Sequence, residues 1–362
     1  MVHQLDFAKA FDTVPRKRLL LKLTTYGISG LTLQWIESFL KNRKQRVVLG
    51  ENESFWAEIF SGVPQGSVIG PLLFVLFIND LPEILMNITK LYADDTKIMN
   101  EMLTAASTLS LQSDLDLAFK WTQDWLVKFN IAKCMVMHYG HNNKKSPLFI
   151  DGQQLNTTES ERDLGVIFSN NLKWRNQIIT CVGKANQILG MVRKCFVHMD
   201  VKLLRSLYAT FVRPLLEFAI PVWSPIQKRD IDLLETVQHR ATRLIPSLKK
   251  ISYENRLKAL DLTTLSERRQ RGDMIQLYKI FNGIDKLETS KTIAVQLNQT
   301  RGHRFKYQKE ITKQVHRENF FFNRSANLWN SLPSEVVNAK TVNSFKAGLD
   351  CWMSSNQANR LS

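Results

Sequence analysis

The stretch Leu91-Tyr92-Ala93-Asp94-Asp95-Thr96 places two adjacent carboxylates between two short runs of β-type residues, Ile88 to Tyr92 and Thr96 to Ile98. This pattern predicts a tight hairpin with both aspartates at its tip. Neighbouring carboxylates repel each other, so a fold that directs both to one place needs a compensating cation there. Hard oxygen ligands suit Mg²⁺ or Mn²⁺ better than zinc. The alternative is ordinary turn chemistry, because aspartate is common in surface turns.

Two stretches upstream of this hairpin bear on that choice. The first, Leu5-Asp6-Phe7-Ala8-Lys9-Ala10-Phe11-Asp12, begins as a β-type run and adds a third carboxylate at Asp6. The second, Ser61-Gly62-Val63-Pro64-Gln65-Gly66-Ser67-Val68-Ile69-Gly70-Pro71, is a loop rich in glycine and proline that leads into the apolar run Leu72 to Ile78. Its small residues allow the backbone to approach a ligand closely. Together the three stretches favour a functional site over an isolated acidic turn.

In this order, the three stretches resemble the palm motifs of reverse transcriptases, in particular those of non-LTR retrotransposons of the jockey and CR1 kind. The similarity runs from the first residues through at least Gly165. It implies an RNA-directed DNA polymerase that transfers a deoxynucleotide to a primer 3′-hydroxyl with two Mg²⁺ or Mn²⁺ ions. The implied partners are an RNA template, a DNA primer and deoxynucleoside triphosphates.

The resemblance also assigns roles to individual residues. Asp6 and Asp94 are the expected bridging metal ligands, with Asp95 beside them in a weaker role and the Phe7 carbonyl as a further oxygen ligand. Lys133 corresponds to a lysine that protonates the leaving pyrophosphate. The expected nucleotide-binding residues are Phe7, Phe11, Gln65, Gly66 and Tyr92.

Two of these assignments have alternatives. The Phe11 ring matches the position that packs under the sugar, where an aromatic crowds a 2′-hydroxyl and favours deoxynucleotides; it is equally a candidate core residue. Lys133 follows a helix and could simply be a solvated lysine. Asp12 lies beyond the end of the first strand, and we interpret it as structural. Asp80, in the context Asn-Asp-Leu-Pro, is interpreted as a turn or cap residue.

Short strands mixed with amphipathic helices predict an α+β fold. We expect residues 1–170 to form a palm, an antiparallel, ferredoxin-like sheet with packed helices. Residues 171–250 are predicted to form a helical, basic thumb, although a solvated helix face gives the same pattern. Residues 251–362 are predicted to be mostly helical and of unknown role, with a linker at Thr289 to Gln299. The stretch Arg301 to Tyr307 alternates cations with aromatics, which suits base stacking.

Composition sets the wider limits. The chain has 362 residues with 44% hydrophobic and 23% charged residues, which is typical of a globular protein. A net charge of +16 favours a polyanionic partner such as nucleic acid, against a merely basic protein. Four widely spaced cysteines support neither a zinc site nor a disulfide framework. We expect an intracellular protein without signal peptide or membrane span, in the nucleus or the cytoplasm.

Two main hypotheses remain open at this stage. Only five residues precede Asp6, whereas a palm normally follows a long fingers region, so we expect an N-terminally truncated polymerase that lacks most of its fingers. The alternative is a non-catalytic, nucleic-acid-binding relic of a retroelement. RNA-templated RNA synthesis is a third possibility, which the bulk of Phe11 disfavours.

Overall fold

A computed structural model of the protein describes residues 2–101, 104–140, 143–287 and 303–361. The chain divides into two compact units, residues 1–161 and 162–362. The predicted linker Thr289 to Gln299 and the residues Arg301 and Gly302 lie outside the described parts. The boundary between the units comes nine residues before the predicted end of the palm at residue 170.

The first unit is built around a five-stranded sheet. Its strands are β1 (Val2–Leu5), β6 (Ile88–Tyr92), β7 (Asp95–Met99), β8 (Met135–Met137) and β11 (Asn156–Thr158), in the order β11-β8-β1-β7-β6. The central β1 pairs antiparallel with both β7 and β8, whereas the edge strand β11 runs parallel to β8. The prediction of a purely antiparallel sheet is therefore wrong at this edge, because β11 returns to β8 only after a separate hairpin.

Helices cover this sheet. They are α1 (Ala10–Thr13), α2 (Arg16–Thr25), α3 (Gly30–Leu40), α4 (Gly70–Ile78) and α5 (Ala105–Asp124). The α4 helix begins with Pro71 in its first turn, and it buries Leu73, Phe74 and Phe77. The Thr104 hydroxyl caps α5 by accepting the Ser107 N–H at 3.3 Å. The apolar spacing of residues 16–23, 31–40, 72–78 and 115–125 predicts helices in the places of α2, α3, α4 and α5.

A buried lysine fastens α2 to this core. The Lys22 ammonium donates to the Phe77 carbonyl and, at 2.5 Å, to Asp80 Oδ1. It also lies 3.7 Å from the centre of the Trp125 ring and 4.6 Å from that of Trp121. Asp80 immediately precedes a 3₁₀ turn but its side chain does not cap that turn. Its carboxylate instead pairs with a buried cation, which the sequence interpretation missed.

The sequence predicts a strand over residues 46–52 that runs into a hairpin turn, with Phe55 to Phe60 as the returning strand. The structure instead has a ribbon of very short strands in this region. These are β2 (Lys44–Gln45), β3 (Val48–Leu49), β4 (Asn52–Glu53) and β5 (Ala57–Glu58), with β2 paired to β5 and β3 to β4. The hairpin turn lies at Gly50-Glu51, within the stretch predicted to end in a turn, because the positive φ of Gly50 (61°) suits the first position of a two-residue turn. A further hairpin, β9 (Phe149–Ile150) and β10 (Gln153–Gln154), precedes β11.

The second unit opens with a two-stranded sheet of β12 (Ser160–Asp163) and β13 (Val166–Ser169), whose first residues fall just before the unit boundary. The run Asp163 to Phe168 predicts a single strand. Leu164 and Gly165 instead form a turn in which both φ angles are positive, 45° and 88°. A strand cannot pass through two such residues.

Helices form the rest of this unit. They are α6 (Arg175–Cys195), α7 (Val201–Leu207), α8 (Arg213–Glu217), α9 (Lys228–Thr242), α10 (Tyr253–Leu260), α11 (Leu265–Phe281), α12 (Val315–Glu318), α13 (Phe321–Asn330), α14 (Ser334–Val337) and α15 (Val342–Leu361). A π-helical turn, Tyr208–Val212, joins α7 to α8. It precedes Pro214, which has no N–H to continue the regular ladder.

The aromatic residues of the C-terminal region form a core. The sequence predicts a small core of Phe320 to Phe322 and Trp329. Trp329, Phe321 and Phe322 are buried there together with Tyr307, whereas Phe320 is exposed. The Tyr307 hydroxyl donates to the Phe322 carbonyl at 2.7 Å. A ring held in this way cannot stack on a base, so the base-stacking interpretation of this stretch is wrong for Tyr307. Within the described residues, no helix is both long and apolar enough to cross a membrane.

Candidate active site

The sheet register brings two of the three predicted carboxylates to one end of adjacent strands. Leu5 pairs with Thr96 in the β1–β7 ladder, so Asp6 and Asp95 follow directly beyond this pair. Tyr92 pairs with Asp95, and Ala93 and Asp94 form the two-residue turn between β6 and β7. Ala93 has a φ of 52°, a left-handed conformation that is uncommon for alanine. Backbone strain of this kind is often found at functional sites.

Burial and two nearby charges shift the pKa of Asp6 at this end of the sheet. Partial burial raises the pKa of the Asp6 carboxyl, the Lys133 ammonium opposes this, and the negative charge of Asp94 raises the pKa further. Lys133 Nζ lies 3.8 Å from Asp6 Oδ2. Asp6 therefore interacts with the charges of both Lys133 and Asp94, which lie 127 and 88 positions further along the chain.

A short turn positions Lys133 next to Asp6. Residues Ile131–Lys133 form a 3₁₀ turn whose flanking residues bind the backbone of Asp6. The Asn130 N–H donates to the Asp6 carbonyl at 2.7 Å, and the Asp6 N–H donates to Cys134 Sγ at 3.5 Å. Burial raises the pKa of the Cys134 thiol to about 11, so it stays protonated at neutral pH. Sequence reasoning missed Cys134, because a lone cysteine after a lysine carries no signal of this contact.

Phe7 and Phe11 follow β1 in the chain and contact different aromatic rings. The Phe7 ring is buried, 4.8 Å from the Phe129 ring and 6.2 Å from the Trp121 ring, centre to centre. The Phe11 ring is partly buried and stacks on Phe74, with ring centres 4.6 Å apart. The side chain of Phe7 is thus a core residue, which leaves only its backbone for a ligand.

The glycine- and proline-rich loop is fastened to the segment after β1. The Val63 N–H donates to the Phe11 carbonyl, and the Gly62 N–H donates to the Val14 carbonyl, both at 2.8 Å. A Cβ on Gly62 would lie 2.7 Å from the carbonyl oxygens of Phe11 and Asp12. Gly62 is therefore required by contact within the chain, a role that sequence reasoning did not assign.

The predicted nucleotide-binding residues of the loop are exposed. Gln65 Nε2 donates to Asp12 Oδ1 at 2.9 Å, so Asp12 holds the Gln65 side chain. Gly66 has a φ of 76°, and a Cβ there would meet no atom within 4 Å. The Tyr92 side chain is also exposed, at the start of the aspartate turn. Gln65, Gly66 and Tyr92 are therefore accessible to a ligand.

The oxygen donors fit a hard divalent cation in their chemistry. Asp6 and Asp94 are close enough for the charge of one to affect the titration of the other, and carboxylates are the ligands that Mg²⁺ and Mn²⁺ prefer. In the described part of the chain, however, no group of three or more His, Cys, Asp or Glu side chains is close enough to hold a metal. The candidate ligands are thus the carboxylates of Asp6 and Asp94, together with Asp95, which follows Asp94 in the chain.

Comparisons with known proteins identify the family to which this part of the chain belongs. The family described as reverse transcriptase (RNA-dependent DNA polymerase) matches residues 1–178. Residues 1–178 belong to the reverse transcriptase family. The chain is similar to the RNA-directed DNA polymerase from mobile element jockey of Drosophila funebris, with 30% identity over 261 residues. The corresponding protein of Drosophila melanogaster is 26% identical over 260 residues.

These matches cover 67% of this chain but only 28% of the length of either jockey polymerase. Among solved structures, telomerase from Candida albicans in complex with a fragment of telomeric RNA matches with a TM-score of 0.32 and 11% identity. That match covers 78% of this chain and 49% of the telomerase chain. The reverse transcriptase assignment accordingly rests on the sequence matches.

Proposed function

We propose that the reverse transcriptase domain catalyses RNA-directed DNA synthesis, with Asp6 and Asp94 as the main ligands of two divalent cations and Asp95 in a supporting role. The observation that carries this proposal is the register of β1 and β7, which places Asp6 and Asp95 directly beyond the Leu5–Thr96 pair, with Asp94 in the adjoining turn. Lys133 Nζ lies 3.8 Å from Asp6 Oδ2. Two carboxylates that raise each other's energy are stabilised by a cation between them. The family match supports the same reading.

The reaction joins a primer 3′ oxygen to the α-phosphorus of a deoxynucleoside triphosphate. As this bond forms, the bond from that phosphorus to the bridging oxygen breaks and pyrophosphate leaves. When bound, divalent ions would neutralise charge on the attacking and leaving oxygens. Asp6 and Asp94 would hold these ions. The primer hydroxyl loses its proton to solvent, and Lys133 donates a proton to pyrophosphate. A general acid of this kind contributes on the order of 10²–10⁴-fold.

The nucleotide is bound on the side of the loop. In this proposal Phe11, backed by Phe74, lies under the sugar and excludes a 2′-hydroxyl. Gln65, held by Asp12, contacts the nucleotide or the template, while Gly66 and Tyr92 offer exposed surface next to it. The residues around Asp6 would then act as the palm of a polymerase.

The helical region after the family match would act as a thumb on the template–primer duplex. The α9 helix and the turn after it carry the cations that suit this role. They are Arg229, Arg240, Arg243, Lys249 and Lys250. Contacts of this type go to phosphates, so they bind a duplex without reading its sequence.

A second candidate is a nucleic-acid-binding relic without turnover. It is favoured by one observation, that the described residues hold no ready group of three metal ligands. In this case the carboxylate pair would be inherited but unused, and the net charge of +16 would carry the remaining function.

Primer extension on poly(rA)/oligo(dT) with Mg²⁺ or Mn²⁺ distinguishes the two. The polymerase proposal expects incorporation of dTTP that is lost in an Asp94→Asn/Asp95→Asn variant and kept in Asp124→Asn, which removes an exposed carboxylate outside the site. Salt-sensitive duplex binding without incorporation, equal in all three proteins, would overturn the polymerase proposal and support the relic.

A further inference from the structure

A second site of the first unit lies apart from the carboxylates. It is a cavity of about 630 Å³ next to α2, α3 and the ribbon of residues 43–60, a volume in the usual range for ligand pockets. Only two acidic residues, Glu37 and Glu58, line it. Five cations line it, which define what we call the basic groove: Arg16, Lys17, Lys41, Arg43 and Lys44.

The acids of the basic groove neutralise only two of its cations. Lys41 Nζ lies 2.7 Å from Glu37, and Lys44 Nζ lies 3.8 Å from Glu58. Across the described ranges, Lys17 and Arg43 have no carboxylate within 4.0 Å, so their charge faces the cavity without a paired acid. A cavity with this excess of positive charge suits an anion with several phosphates.

Arg16 connects the groove to the loop beside the carboxylates. Its guanidinium donates to the carbonyls of Ser61, at 3.2 Å, and Gly62, at 3.3 Å. Burial, and then the positive charge of Arg43, lower the pKa of Arg16 from its usual value. A chain of phosphates along the groove would therefore reach the loop that carries Gln65.

Exposed aromatic rings lie along the same ribbon. Phe60 lines the groove and is 83% exposed, and nearby Phe55 and Trp56 are 97% and 59% exposed. The Arg46 guanidinium lies 4.8 Å from the centre of the Trp56 ring. The ribbon pairs with no strand of the main sheet, and a two-stranded ribbon exposed on both faces is only marginally stable in water. Large apolar surface of this kind indicates a binding partner.

We propose that the basic groove and the rings of Phe55, Trp56 and Phe60 bind a single-stranded stretch of polynucleotide. Unpaired cations next to exposed aromatic rings match the two needs of such a strand, phosphate neutralisation and base stacking. A duplex would use the cations but not the rings, because its base faces are already stacked. The identity of this strand as the template rests on the proposed polymerase function, whereas its binding requires neither metal nor turnover.

The first test is the salt dependence of binding of fluorescein-labelled dT₁₂ and rU₁₂, followed by anisotropy. Each phosphate contact on a single strand adds about 0.7 to the slope of log affinity against log salt. The Lys17→Ala/Arg43→Ala variant should therefore lose about 1.4 from this slope. A Lys120→Ala/Lys144→Ala variant removes two exposed cations outside the groove and should keep it. Equal slopes in both variants would overturn the proposal.

The second test concerns the rings. Phe60→Ala should weaken dT₁₂ binding by roughly 5-fold to 150-fold with little change of slope, as expected for a lost stacking contact. Tyr26→Ala, which removes an exposed ring elsewhere in the unit, should bind as the unaltered protein does. If Phe60→Ala changes only self-association, the rings serve a protein interface and the proposal falls.

The two proposals can fail separately. An Asp94→Asn protein should bind dT₁₂ normally, because the groove does not include the carboxylates. Loss of extension in Asp94→Asn with unchanged binding in the groove variants would leave the polymerase proposal standing and overturn the groove. Groove-dependent binding in a protein that never extends a primer would support the groove and overturn the polymerase proposal.

Discussion

Two glycines in one loop show how differently the same residue type is required. Gly62 and Gly66 both have positive φ, 84° and 76°, but only Gly62 packs against backbone oxygens. Gly62→Ala should therefore destabilise the protein more than Gly66→Ala does, by about 1–3 kcal/mol, the usual cost of overpacking. Urea unfolding of the two variants measures the difference. Equal losses would show that the left-handed backbone alone sets the cost.

Phe11 and Phe74 form one stacked pair but have different predicted roles. If Phe11 excludes a 2′-hydroxyl, Phe11→Ala should raise ribonucleotide incorporation relative to deoxynucleotide incorporation by about 10-fold to 100-fold, the range for small steric differences in enzyme pockets. Phe74→Leu breaks the same stack from the other side and should leave the ratio unchanged. The ratio of kcat/KM for UTP and dTTP is the measurement. A change of ratio only in Phe74→Leu would refute the assignment.

For single residues, the sequence indicated which side chains belong to the candidate site but not which residues they contact. The resemblance directed attention to Asp6, Asp94 and Lys133, and in the structure the charges of Lys133 and Asp94 both act on Asp6. Their catalytic and metal-binding roles stay predictions. The contacts of Asp12 with Gln65, and of Cys134 with Asp6, join residues that are 53 and 128 positions apart. No local pattern indicates pairs of this separation, because they depend on how the whole sheet is assembled.

Among the elements, α2 depends on a buried charge. The pKa of Lys22 is lowered to about 8, mainly by burial, with the hydrogen bond to Asp80 opposing the shift. Between about pH 8 and pH 10.5 the unfolded chain keeps this proton and the folded chain has lost it. The free energy of unfolding should therefore gain a contribution that rises with pH across this window.

The Lys22→Met variant isolates that contribution. Subtracting its unfolding free energies from those of the unaltered protein, measured from pH 7 to pH 11, should give a difference that rises from pH 8 to pH 10.5. Asp80→Asn in the same background restores a neutral pair and controls for the aspartate left without its cation. A flat or falling difference would contradict the lowered pKa.

Element prediction succeeded where the hydrophobic pattern is long. The α2, α3, α4 and α5 helices follow from apolar spacing, and α4 buries Leu73, Phe74 and Phe77 of its apolar run. It failed for the ribbon and for the turn at Leu164-Gly165, where strands have two to four residues. Such strands are defined by their pairing partners and turn geometry, which composition alone does not contain.

The whole chain divides into two compact units, residues 1–161 and 162–362, and the division into palm, thumb and C-terminal region stays a prediction. The predicted division at residue 250 stays untested. Within the second unit, one helix contributes to two hydrophobic clusters. Leu265, at the start of α11, packs with the cluster of α6 and α9, whereas Met274 and Leu277 pack with Trp329 and Phe345. A cut between these clusters would have to pass through a helix, so residues 162–362 are better treated as one unit in truncation experiments.

The central claim is that Asp6 and Asp94 together bind the divalent cations. A Mn²⁺ titration followed by electron paramagnetic resonance of the free ion tests it most directly. Asp6→Asn and Asp94→Asn should each weaken Mn²⁺ binding by at least about 10-fold. The double variant should lose little more, because the effects of two residues that bind the same ions are not additive. Asp124→Asn is the matched control and should bind as the unaltered protein does. Mn²⁺ affinities that are the same in Asp6→Asn, Asp94→Asn and Asp124→Asn would contradict the claim.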